Sequence, residues 1–266
     1  DSLQGTPLTQ YYLENRSVWP VHPVAAAFNA MGLDCFTLGN HDFNFGYEAL
    51  RDFIDAMNAE CLCANLTDLG GELNVRPWTV RTLANGLRVG ITGAVTDFVN
   101  VWEQPCNMEK LHITDAFTAA ARAYEYLKGR CDVTVCIYHG GFEEDLSTGR
   151  LLSDSGENVG CKIARELVYD ILLTGHQHMQ VEGVELSGTY AVQPPANAPA
   201  CIKIGAAVSD GLTRCSSTVL PAGEKCAAEP YNTLLPLERE VQRWLDSPVG
   251  ELSESIAPEG KLDAAL

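Results

Sequence analysis

Apolar positions along this chain recur with two different spacings. From Tyr47 to Asn58, Leu50, Phe53, Ile54 and Met57 share one face at the helical period of about 3.6 residues, and Val24 to Met31 reads as a second, apolar helix. Thr114 to Lys128 predicts a capped helix and Asn158 to Val168 another. Shorter apolar runs, Asp34 to Leu38, Cys61 to Ala64, Asp132 to Tyr138 and Ile171 to Thr174, have the length of buried strands. Trp78 to Leu83 and Leu87 to Val95 flank Asn85-Gly86, a dipeptide suited to the positive φ angles of a tight hairpin. Thr189 to Val192, Cys201 to Val208 and Arg214 to Leu220 predict further β-structure. Leu237 to Asp246 predicts a last helix, stopped by Ser247-Pro248-Val249-Gly250. Helices and strands alternate early and strands dominate late, as in two packed sheets flanked by helices.

Composition narrows the classes. A chain of 266 residues, 46% hydrophobic, can bury a substantial core and sits near the upper size of one domain. No apolar run approaches the roughly 18–20 residues that a membrane span needs, so no membrane role is expected. The formal net charge of −17 argues against a nucleic-acid partner, which wants a basic face. A small anionic ligand remains compatible, because bound dications reverse the local sign. The ten cysteines form no CxxC pair, and Cys35, Cys61, Cys63, Cys131, Cys136 and Cys201 lie in or beside apolar stretches, as buried thiols do. Free thiols point to a reducing compartment, hence a cytoplasmic location, with the cell envelope or export as the alternative. Nothing in these patterns encodes the oligomeric state.

The chemistry concentrates in the histidines. Four of the six fall in Gly39-Asn40-His41-Asp42, His139-Gly140-Gly141 and Gly175-His176-Gln177-His178, each directly after a predicted strand. Imidazole nitrogens with an amide or carboxylate oxygen, and no thiolate, suit hard and borderline divalent ions. His176 and His178 would face apart on a helix, but after the Ile171–Thr174 strand a turn could aim both at neighbouring ions. His22 and His112 stand alone and read as structural. Gly140 and Gly141 fit a tight turn or a close backbone approach. Phe142-Glu143-Glu144-Asp145 reads as a solvated loop, and Gln177 is expected to orient outward. The loops Ser153 to Glu157 and Gln193 to Pro199 would rim the site.

The order of these motifs resembles the calcineurin-like metallophosphoesterases. The wider strings Leu38-Gly39-Asn40-His41-Asp42-Phe43-Asn44-Phe45-Gly46, His139-Gly140-Gly141-Phe142-Glu143 and Leu172-Leu173-Thr174-Gly175-His176-Gln177-His178 resemble the branch of the 5'-nucleotidases and 2',3'-cyclic-nucleotide 2'-phosphodiesterase/3'-nucleotidases. Asp1-Ser2-Leu3-Gln4-Gly5-Thr6-Pro7-Leu8 is similar to the Asp of the family's Gly-Asp with the Leu-Gln-Gly-x-Pro string that follows it. The resemblance implies an α/β fold, a four-layer αββα sandwich lacking its first strand, because the family's Asp-x-His motif lies upstream of the position of Asp1. It implies two divalent ions (Mn, Zn, Fe or Co), one site incomplete in this chain. Asp1 would bridge them, Asn40, His139 and His176 would complete one, and His178 would serve the other.

The same resemblance makes His41 the catalytic group that stabilises or protonates the leaving oxygen. Its supporting partner would be Asn44, where 5'-nucleotidases carry Asp and the cyclic phosphodiesterases tend to carry Asn; Asp42 is the alternative partner. It further implies residues 1–235 as the metallophosphoesterase domain and 236–266 as a linker helix and tail towards an absent nucleotide-binding domain. Pro195 stands where the family usually has Gly. The implied activity is metal-dependent hydrolysis of nucleotide phosphate esters, with a non-nucleotide phosphoesterase or an inactive metal-binding fragment as alternatives.

Overall fold

A computed structural model describes residues 1–223, 225 and 227–251. The expected tail after Gly250 falls, apart from Glu251, outside the described residues. Helices α1 (Pro7–Glu14) and α2 (Pro23–Met31) lead into β1 (Cys35–Phe36), followed by α3 (Gly46–Ala56), β2 (Glu60–Leu62), β3 (Leu66–Asp68), β4 (Val75–Arg76), β5 (Trp78–Thr82) and β6 (Arg88–Val95). Then come α4 (Val99–Trp102), β7 (Leu111–Ile113), α5 (Ala116–Leu127), β8 (Val133–His139), α6 (Gly160–Leu167) and β9 (Ile171–Thr174). The described chain closes with β10 (Val181–Leu186), β11 (Thr189–Gln193), β12 (Ala200–Ser209), β13 (Leu212–Pro221) and α7 (Ala228–Leu245).

Local chemistry sets these boundaries. Helix α2 starts with Pro23 behind the capping ring of His22 and ends on Gly32 at φ 69°. Helix α5 is capped by Asp115, whose carboxylate accepts the Thr118 N–H at 2.7 Å. Asn85-Gly86 turns β5 into β6, with Gly86 at φ 88° and Thr82 opposite Arg88.

The main sheet has six strands in the order β10-β11-β9-β8-β6-β5. Its four inner strands are parallel and its two edge strands antiparallel. Inner parallel strands are covered on both faces, which is why they read as continuous apolar runs. A smaller parallel sheet, β1-β2-β4, lies against it. Contact is close enough that a Cβ on Gly93 of β6 would sit 2.0 Å from the Leu62 carbonyl of β2. One core gathers Leu38, Phe43, Leu50 and Phe53 under α3, and another packs Ala120, Leu127, Ile163 and Tyr169 of the α5–α6 side onto Tyr138 and Leu172. The molecule is a mixed α/β fold of sheets flanked by helices, as expected.

Several elements depart from the sequence reading. Helix α1, begun by Thr6 and Pro7, and strand β10 have too weak an apolar period to be seen in advance. Strand β1 keeps only two residues and pairs on one side with β2. Helix α7 starts well before Leu237, runs through Pro236, and buries Leu237 and Val241 against Tyr12, Leu13 and Ala49. It is therefore packed on the body of the fold. Among the described residues no helix is long and apolar enough to cross a membrane. The nine described cysteines are free thiols, and burial pushes Cys63 and Cys136 up to about 12, which removes them from thiolate chemistry.

Candidate metal centre

Strands β6, β8 and β9 run parallel, with Ala94 beside Tyr138 and Tyr138 beside Thr174, so their carboxyl ends open on one edge of the sheet. Such edges are where α/β sheets place ligands. His139 ends β8, and His176 follows β9 after a single glycine. Asn40 and His41 lie in a 3₁₀ turn, Asn40–Phe43, just after β1. Close packing lets the pieces meet: a Cβ on Gly39 would lie 2.2 Å from the Asp1 nitrogen and 2.8 Å from His139 Cε1. Glycine is required there.

The predicted ligands converge. Asn40 Oδ1 is 3.1 Å from His139 Nε2 and 3.0 Å from His176 Nδ1. Asp1 Oδ2 lies 3.2 Å from His139 Nε2, while its Oδ1 accepts the His41 N–H at 2.9 Å. Burial holds the His139 imidazole well below its usual pKa, hence neutral, as a ligand must be. His178 lines the same cavity of about 440 Å³ as Asp1, His139 and His176. Both motif histidines are in the left-handed region, His176 at φ 69° and His178 at φ 55°. The Gln177 N–H donates to the Gly175 carbonyl at 2.7 Å, closing a three-residue turn around His176. Such backbone strain in non-glycine residues collects at functional sites.

His176 is gripped from three sides. Its Nε2 lies 2.9 Å from Glu157 Oε1, Trp102 stacks on it at 5.5 Å and 21°, and His139 meets it edge-on at 5.4 Å. The Glu157 backbone is itself pinned, its carbonyl accepting from Thr96 Oγ1 at 2.8 Å and from the Tyr138 hydroxyl at 3.2 Å. Both donors are buried. An ionised carboxylate only accepts, so Nε2 carries the imidazole hydrogen and Nδ1 keeps a lone pair. That lone pair faces another acceptor, Asn40 Oδ1, at 3.0 Å. A cation shared between them satisfies both. The donor set therefore fits a divalent ion, with an amide oxygen as an essential member: among the described residues, no three His, Cys, Asp or Glu side chains form a metal-holding group by themselves.

His41 behaves differently. Its Nδ1 is 2.7 Å from Asn44 Oδ1, and Asn44 Nδ2 donates to Glu103 Oε2 at 2.6 Å. Glu103 can accept only, which orients the amide and makes His41 Nδ1 the donor. Asp42 is not the partner of His41, contrary to the alternative drawn from sequence. Its oxygens accept from the backbone N–H groups of Ser2 (2.5 Å), Leu3 (3.0 Å) and Gly39 (2.7 Å), tying the Asp1 segment to the turn.

Gln177 also departs from expectation. It turns into the HGG segment, accepting from the Phe142 N–H at 2.8 Å and donating to the Phe142 carbonyl at 2.9 Å. A Cβ on Gly141 would strike Gln177 Cδ at 2.0 Å. The acidic run is scaffold: Phe142 is buried, Glu143 accepts from Cys161 and Lys162 N–H at the start of α6, and Glu144 pairs with Arg165. Gln193 to Asn197, Pro195 included, rims the cavity of Asp1, His139, His176 and His178 as expected. His22 is a buried helix cap. Glu157 rims the site as expected of its loop, but its contact with His176 was not foreseen, nor were Trp102 and Glu103, because the stretch after β6 shows no periodicity.

No protein-family model matches the chain. It is 27% identical over 203 residues to the trifunctional nucleotide phosphoesterase YfkN of Bacillus subtilis, covering 71% of this chain and 14% of that protein. It is 25% identical over 199 residues to the 2',3'-cyclic-nucleotide 2'-phosphodiesterase/3'-nucleotidase of Salmonella typhimurium, covering 70% of this chain and 30% of that protein. The chain thus spans under a third of the length of these curated relatives. Among solved structures, it matches a Staphylococcus aureus protein assigned as a 5'-nucleotidase with TM-score 0.85 and 28% identity, over 99% of this chain and 52% of that one. The calcineurin-like phosphoesterase YfkN of Bacillus subtilis shares the fold at TM-score 0.76 and 22% identity, over 92% of this chain and 83% of that one. In sequence the chain is thus similar to nucleotide phosphoesterases, and in fold to solved structures described as a 5'-nucleotidase and a calcineurin-like phosphoesterase.

Proposed function

We propose that this chain carries the metal-dependent hydrolysis of nucleotide phosphate esters. The observation that carries the reading is the meeting of Asp1, Asn40, His139 and His176 at one point, with His41 beside it. Calcineurin-like phosphoesterases work with two divalent ions. Here Asp1, Asn40, His139 and His176 would hold one, and Asp1 with His178 would face the other. Bound ions supply Lewis acidity towards phosphate and an acidified water.

The protein's own part is positioning. Asp1 Oδ1 fixes the backbone of His41, and Asn44, steered by Glu103, fixes its ring. With Nδ1 spent on Asn44, His41 keeps Nε2 for the leaving oxygen, where it can hold or deliver a proton. Asn44 in place of a carboxylate supports a 2',3'-cyclic substrate, the activity carried by the Salmonella relative.

The test is turnover of 2',3'-cyclic AMP and AMP with Mn²⁺. His176→Ala and His41→Ala are each expected to lose about a hundredfold or more in rate. Near-parental turnover by either variant would defeat the reading. Equal rates on simple aryl phosphates would favour a general phosphoesterase.

A further inference from the structure

His41 and His176 stand where two cavities meet. The larger holds Asp1, His139 and His178 and is the place for a phosphate, while Asn40 lines the second. The second, of about 360 Å³, has a different chemistry: Val99 and Trp102 give it an apolar wall, and Asn44, Glu103 and Glu157 edge it with polar atoms. Among the described residues no Lys or Arg lines it. Trp102 is 46% exposed beside this opening, although large aromatic side chains are ordinarily well buried. Glu103 already accepts from Asn44, Asn107 and the Gln104 N–H, and Glu157 from His176. A carboxylate has roughly four acceptor positions, so both retain unused lone pairs.

Two carboxylates repel an anion and favour a neutral group rich in N–H and O–H hydrogens. An exposed indole favours a flat ring. We propose that this second cavity binds the uncharged nucleoside portion of the substrate, with Trp102 as its stacking platform and Glu103 and Glu157 accepting hydrogen bonds from its hydroxyl or amine groups. The inference rests on the nucleotide reading above and deepens it. It places the leaving group against His41, which with His176 is shared by both cavities, and puts recognition of the nucleoside on the metal-binding fold itself.

Adenosine tests this directly, because it has no phosphate and its binding does not depend on hydrolysis. Calorimetric titration of the 266-residue chain with adenosine is compared with Trp102→Leu, which keeps apolar bulk against His176 without a π face, and with Trp102→Phe, which keeps a ring. Trp102→Leu is expected to bind about tenfold more weakly, as loss of one base–aromatic stack does, and Trp102→Phe to recover most of the affinity. No adenosine binding by the parent chain, or equal binding by all three proteins, would overturn the proposal. A parent that hydrolyses AMP but ignores adenosine refutes the subsite and leaves the phosphohydrolase standing. Trp102-dependent adenosine binding with no ester hydrolysis does the reverse.

Discussion

Acid should destabilise this protein through His22, and His22→Asn isolates that contribution. The His22 ring is 4% exposed, accepts the Ala25 N–H at 3.4 Å through Nδ1, and packs against Tyr12 at 4.8 Å and Phe53 at 5.2 Å. Burial lowers its pKa from 6.5 to about 4, against the opposing pull of Asp52 on α3. A protonated imidazole can only donate, so it would surrender the helix cap and leave a charge among aromatic rings. Since the folded value lies below the unfolded one, the unfolded chain takes up the proton first. The stability tied to neutral His22 is whole above about pH 7, falls as the pH drops from 6.5 towards 4, and is gone below. At about 1.4 kcal/mol per pH unit the full loss is about 3 kcal/mol, of which about 2 kcal/mol falls between about pH 7.5 and about pH 5.

Asn keeps a capping oxygen but cannot titrate. At about pH 7.5 the variant should be less stable by the cost of the lost ring, and by about pH 5 that gap should narrow by about 2 kcal/mol. Urea unfolding of both proteins at the two pH values measures it, and the carboxylates they share cancel in the difference. A gap that stays constant would refute the reasoning.

Two further outcomes follow from the structure. Glu157→Ala should weaken Mn²⁺ binding about 10- to 100-fold, the usual effect of removing the carboxylate behind a ligating histidine, while Glu157→Gln recovers part of it through its amide oxygen. Calorimetric Mn²⁺ titration decides, and unchanged affinity in the Ala variant would count against it. Val168 ends α6 at φ 51° and ψ 50°, a region that a β-branched residue enters only under strain. Val168→Gly should raise stability by about 0.5–1 kcal/mol, visible as a thermal midpoint about 2 °C higher; a lower midpoint would mean that Val168 packing outweighs the strain.

The site was legible wherever a motif carried both its chemistry and its place in the fold. Asn40, His139 and His176 each follow an apolar run, and strands in register bring their ends together. Asp42 misled because a carboxylate beside a histidine looks like its partner, whereas the backbone N–H groups of Ser2, Leu3 and Gly39 claim it first. Gln177 misled for a related reason: with its backbone bent at His176, a side chain between two ligands turns inward. Glu157 and Glu103 act through contacts 19 and 59 residues distant in sequence, on irregular segments whose spacing carries no periodic signal. Helix α7 was half seen because Pro230 and Pro236 broke the helical signal of its first half.

The left-handed backbone at His176 and His178 limits what the chain can exchange there. Most side chains would add strain to that turn, and glycine would relieve it while deleting the donor. Asn and Asp tolerate the same backbone and still offer an oxygen. The mutational route of least resistance at this turn therefore trades imidazole nitrogen for oxygen, carrying the centre towards harder ions such as Mg²⁺ and Mn²⁺ and away from Zn²⁺. If His176 and His178 hold the proposed ions, backbone geometry, and not ligand chemistry alone, would set the direction in which metal preference can drift.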